Sequence, residues 1–137
     1  MIQEDNELLI KDLCARLPYE VKVQYEDGIF TIDHISAMYE EVKLNTPNNY
    51  TIDVLEVKPY LLPLLSMTEE QLYELREMFG FEIEFRDGLI EVSTFHHNSL
   101  GYLEMDAMFE WFNRNQFDYR GLIPMGLAID ATGLNIY

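Results

Sequence analysis

At 137 residues the chain has the length of one domain, 1–137, enough to bury a core without disulfide or metal staples. Apolar residues make up 48% and aromatics 13%, so the net charge of −16 does not mark a disordered acidic tract. The acid excess argues against direct binding to nucleic acid or anionic lipid, and no apolar run approaches the roughly 18 residues of a membrane span. A single cysteine, Cys14, and a start lacking the basic and apolar regions of a secretory signal point to the cytoplasm.

The first predicted element is a helix over 7–17, capped by Asp5 or Asn6, with Leu9, Ile10, Leu13, Cys14 and Leu17 on its apolar face and Pro18 beyond its end. Cys14 on that face reads as a small buried hydrophobe. A hairpin follows over 19–34, with Asp27 and Gly28 as its two-residue turn. That turn sets Tyr25 against Phe30, Val23 against Ile32, Val21 against His34 and Lys22 against Asp33, which places His34 on the core face.

Residues 36–49 settle on neither period and read as a connector with one short edge strand. Residues 50–57 read as a strand. The segment 58–66 carries five apolar residues broken by Pro59 and Pro63, which exclude a long helix or a central strand and suggest a cover over the core or an exposed docking site.

Thr68 and Gln71 have the spacing of a reciprocal cap, so a helix starts at Glu69; Leu72, Leu75, Met78 and Phe79 recur at helical spacing before Gly80 stops it. Strict alternation over 81–85, then Asp87-Gly88, then alternation through Ile90 and Val92 specify a second hairpin. Its register pairs Phe85 with Ile90, Ile83 with Val92, Phe81 with Thr94, and Glu84 with Glu91. A third helix over 99–114 places Leu100, Leu103, Ala107, Met108, Trp111 and Phe112 on one stripe, with Glu104, Asp106 and Glu110 facing solvent. The remainder, 116–137, with three glycines and Pro124, reads as an irregular tail laid across the domain.

Helix followed by hairpin occurs twice, at about 5–35 and 67–95, as an internal repeat. The predicted fold is α+β: two helix-plus-β-hairpin units forming an antiparallel sheet of four or five strands, with about three helices packed on one face.

Two stretches, 57–71 (VKPYLLPLLSMTEEQ) and 117–130 (FDYRGLIPMGLAID), resemble a family of small acidic proteins encoded in gut Bacteroidetes genomes and in their phages or integrated elements. The resemblance covers most of the chain and implies a mobile-element setting. It brings no assigned activity or catalytic residues. Many members read RGLIEKGLA in the tail, so Pro124 and Met125 depart from the pattern, as does Leu62 where an Arg is common; if those charged positions bind something, this member has lost it.

No glycine-rich phosphate cradle, nucleophile elbow, HExxH or paired CxxC occurs, so neither a cofactor nor a catalytic motif is indicated, and the reading leans away from an enzyme. Adjacent His96 and His97 point to opposite faces of an extended chain and are weak metal candidates. Arg120 stands alone as a base in an apolar tail beside Asp118 and Tyr119, placed to tie the tail down by pairing with an acid or to contact a partner. Two function classes remain. One is a non-enzymatic module that docks a basic protein through Glu82, Glu84, Glu91 and Arg120, imitating the charge of nucleic acid. The other is a small enzyme or ligand-binding domain with a site near His96, His97 and Arg120. An exposed hairpin edge also leaves a homodimer open.

Overall fold

The computed structural model describes residues 2–47, 51–79, 81–86, 89–94 and 102–137, and the side chains of these except at 2 and 79–105. The order is α1 (Ile2–Arg16), β1 (Lys22–Tyr25), β2 (Gly28–Ser36), β3 (Glu41–Leu44), β4 (Ile52–Asp53), β5 (Lys58–Pro63), α2 (Glu69–Phe79), β6 (Phe81–Arg86), β7 (Leu89–Thr94), α3 (Tyr102–Arg114), β8 (Phe117–Asp118) and β9 (Ile129–Asp130). The fold is α+β.

A seven-stranded sheet runs β4-β3-β2-β1-β5-β8, with β9 also paired to β5, while β6 and β7 form a separate two-stranded sheet. Helix followed by hairpin does occur twice, but the two hairpins share no sheet, and the main sheet is larger than the four or five strands expected. The reason is β5. The Pro/Leu segment expected as a cover is a central strand, antiparallel to β1 and parallel to β8 and β9. Its prolines do not prevent this because they stand at its ends: Pro59 is the second residue and Pro63 the last. Between them the backbone is paired, with Leu62 N donating to Gln116 O at 2.8 Å and Leu61 O accepting from Ala131 N at 2.8 Å. Leu61 is wholly buried, whereas Leu65, just beyond the strand, is exposed.

The first hairpin is offset by two residues from the predicted register: Lys22 pairs Thr31, Val23 pairs Phe30 and Tyr25 pairs Gly28, so the loop is Glu26-Asp27 with Glu26 at φ 52°. Gly28 serves a different purpose from the turn. A Cβ there would lie 2.7 Å from the Phe30 ring, so the ring covers the bare backbone. A two-residue slip preserves the faces, and Val21, Val23 and Ile32 remain in the core. A bulge at Asp33 then changes the parity, pairing Ile32 with Leu44 but His34 with Lys43. His34 is therefore exposed rather than packed, lying 3.6 Å from Asp33.

α1 starts earlier than expected and buries Leu9, Ile10 and Leu13, but Cys14 faces outward and is exposed. Of the predicted strand 50–57, residue 50 lies outside the described residues, and 51–57 yield the two-residue β4 and a 3-10 turn over Val54–Glu56, in which Leu55 N donates to Asp53 Oδ1 at 2.9 Å. Thr68 and Gln71 form the reciprocal cap, with Gln71 N donating to Thr68 Oγ1 at 3.1 Å and Thr68 N to Gln71 Oε1 at 3.0 Å. The β6–β7 backbone register agrees with the sequence at every predicted pair, Glu84 opposite Glu91 included.

The helices divide between two cores. α1 packs with β1–β5 and with Leu122 and Ala128 of the tail. A smaller core joins Leu64, Leu75 of α2, and Met108, Trp111 and Phe112 of α3 to Phe117, with Trp111 and Phe117 stacked at 5.8 Å. Ala107, expected on that stripe, is exposed; Asp106 and Glu110 face solvent as expected. The tail supplies β8 and β9 and is otherwise irregular.

Candidate functional site

The predicted docking row lies on the two-stranded sheet. Glu84 and Glu91 are direct partners, and Glu82 pairs Ser93 two positions away, so the three glutamates belong to one face of the hairpin. Like charges so placed disfavour the pair by a few tenths of a kcal/mol up to about 1. The side chains of this row lie outside the described residues, as do His96 and His97 entirely.

Arg120 lies elsewhere. Its Nε donates to Asp12 Oδ1 at 3.1 Å and its Nη2 to the Tyr119 hydroxyl at 3.0 Å. Asp12, wholly buried on α1, also accepts from Arg16 Nε at 2.9 Å and Nη2 at 3.2 Å. Arg16, equally buried, donates a further bond from Nη2 to Phe117 O at 2.6 Å. Both guanidiniums lie over the Tyr119 ring, at 5.5 Å for Arg16 and 4.9 Å for Arg120. Tyr119 stacks in turn on Phe109 and Phe112 of α3. One carboxylate thus joins α1 to the tail, and one aromatic ring joins that cluster to the second core. Arg120 ties the tail down by pairing with an acid.

Sequence reasoning missed Asp12 and Arg16, although a signal was present. They are spaced four apart and fall on the same stripe as Leu9 and Leu13, where a solvated ion pair has no place. In the sequence Asp118 stands out only as a neighbour of Arg120. It is buried, and its two oxygens accept Leu122 N and Ile123 N, each at 2.9 Å, closing a turn that passes through Gly121 at φ 77°.

These arrangements hold structure together and leave little free for chemistry. Both Asp12 oxygens are occupied by guanidinium donors, and those of Asp118 by backbone amides, so neither carboxylate is open as a base. Cys14 is exposed, but burial of part of its surroundings pushes the thiol up, away from thiolate reactivity. Among the described residues no three His, Cys, Asp or Glu side chains converge on a point that could hold a metal, and no helix is long and apolar enough to cross a membrane. A cavity of about 200 Å³ lies between the end of β5 and the tail, lined by Pro63, Leu64, Leu65, Ile123 and Pro124. Among the described residues Asp118 is its one charged wall residue. Compared with protein-family models, curated proteins and solved structures, the chain matches none.

Proposed function

We propose that the protein is a non-enzymatic acidic binding module that docks a basic protein partner through the row Glu82, Glu84 and Glu91, acting in the cytoplasm as a product of a phage or other mobile element. The supporting observation is the register that sets Glu84 directly against Glu91 in a hairpin outside the main sheet. A pairing that disfavours the isolated hairpin is relieved when a cationic partner lies across it. The global charge of −16 draws such a partner in and repels nucleic acid and anionic lipid. Arg120, partly exposed, contributes by holding the tail to α1 through Asp12.

The test is capture from host-cell lysate on the tagged protein, at low and high salt, beside a Glu82→Gln, Glu84→Gln, Glu91→Gln variant. One basic protein retained at low salt, released by salt and lost from the variant is the expected result. Retention unchanged in the variant removes the row from the reading, and no retained protein in either buffer removes the reading itself.

A further inference from the structure

The cavity of about 200 Å³ between the end of β5 and the tail lies where the two cores meet. Leu64 on one wall belongs to the core of α2 and α3, and Ile123 on another packs against the core of α1. Leu65 and Pro124 also line it and are both exposed, so the cavity opens to solvent between them. Apart from Asp118 the walls are apolar or glycine.

Asp118 is only 6% accessible, and its charge is handled differently from that of the other buried carboxylate. Asp12 meets the guanidiniums of Arg16 and Arg120. Asp118 meets two backbone amides, those of Leu122 and Ile123, one on each oxygen. These amides are neutral, and they use two of the roughly four acceptor positions of a carboxylate. Among the described residues Asp118 enters no ion pair, and Arg120, its near neighbour in the chain, is turned away to Asp12 at 3.1 Å. The group is closed as a base, yet it keeps a full negative charge at the wall of an apolar cavity. Buried charges are ordinarily paired, so the charge that complements this wall is one cation. The other walls specify the rest of the occupant. An apolar cavity of about 150 Å³ holds a benzene-sized ring, so this one has room for such a ring and a short alkyl arm.

We propose that this cavity binds a small arylalkylammonium ion, with its ammonium group on Asp118 and its ring against Leu64, Leu65, Ile123 and Pro124. The site shares no residue with the acidic hairpin row and does not depend on the docking of a basic protein there.

Amide NMR of the full chain tests it, with the Leu122 and Ile123 amides as local reporters because they donate to Asp118. Three probes separate the two features of the site: 2-phenylethylammonium, the neutral 2-phenylethanol, and ethylammonium, which has charge without a ring. The expected result is saturable shifts of both amides by 2-phenylethylammonium with a Kd of about 1 mM or below, and at least about tenfold weaker binding of the other two. Asp118→Asn keeps an acceptor for one amide and should remove the preference for the ammonium over the alcohol. Leu65→Ala, at an exposed position, should weaken both phenyl compounds and leave ethylammonium unchanged. Equal binding of 2-phenylethylammonium and 2-phenylethanol by the parent overturns the inference, whether or not Asp118→Asn folds by circular dichroism. Equal binding of ethylammonium and 2-phenylethylammonium also overturns it, since any cation is drawn to a chain of net charge −16. Unmoved Leu122 and Ile123 amides overturn it as well, as does an ammonium preference that survives in a folded Asp118→Asn variant.

Discussion

Asp12→Ala strikes the point where the helix, the tail and the aromatic cluster meet. The wild-type carboxylate accepts from Arg16 at 2.9 and 3.2 Å and from Arg120 at 3.1 Å, and both Asp12 and Arg16 have no accessible surface. Removing it leaves the Arg16 guanidinium buried without its counterion; one of its nitrogens, Nη1, already has no hydrogen-bond partner among the described residues. Breaking a buried pair in this way costs about 3–5 kcal/mol. The partly exposed Arg120 can turn toward water, so its loss adds little. Urea denaturation followed by Trp111 fluorescence should show that drop, equivalent to roughly 10–20 °C in Tm for a domain of this size. Arg120→Met is the internal comparison. It leaves Asp12 paired to Arg16 and removes one charged hydrogen bond at the tail, so it should cost about 1.5–3 kcal/mol. Replacing Asp12, Arg16 and Arg120 together by Leu, Met and Met should recover much of the loss of Asp12→Ala, because no charge then remains buried. A loss below about 1 kcal/mol for Asp12→Ala, the range of a solvated surface pair, would refute the reasoning.

The other predictions concern single groups. Thr68→Ala removes the acceptor of Gln71 N at the start of α2 and should cost about 1 kcal/mol in the same denaturation experiment. Glu84→Lys turns a like-charged pair across from Glu91 into an opposite one, and should slow amide exchange in β6 and β7 by an amount matching a few tenths to about 1 kcal/mol. The Tyr137 hydroxyl donates to Tyr60 O at 2.7 Å and accepts from Lys22 N at 2.9 Å, and burial of this end of a half-exposed side chain pushes its pKa up to about 12. A phenol that keeps its proton when folded and loses it when unfolded makes stability fall as pH rises from 10 toward about 12; Tyr137→Phe should flatten that fall. Cys14 should be modified completely by a thiol reagent in the folded protein, but more slowly than a free peptide thiol at the same pH, since its pKa is raised.

Local chemistry made several elements legible without a structure. The span of α2 follows from Thr68 and Gln71 capping its start, and the register of the second hairpin follows from alternation on both sides of a two-residue turn. The buried face of α1 follows from Leu9, Ile10 and Leu13, and the α+β class follows from the succession of these elements. The charge row Glu84–Glu91 is legible for the same reason, since opposition across a hairpin is a local property.

What the tertiary structure decided depends on partners distant in sequence. Residues 58–63 hold two prolines and cannot be told locally from a cover; they form a central strand only because β1 pairs at Lys58 and Pro59, β9 at Tyr60 and Leu61, and β8 at Leu62 and Pro63. The outward turn of His34 depends on how β3 pairs past the bulge at Asp33, and the register of the first hairpin on where the Phe30 ring comes to rest. Arg120 offered a base in search of an acid, but any of 25 acidic residues could have answered. Only the closing of the tail over α1, a contact 108 residues apart in the chain, selected Asp12, because a carboxylate already buried beside Arg16 gains most from a second cation.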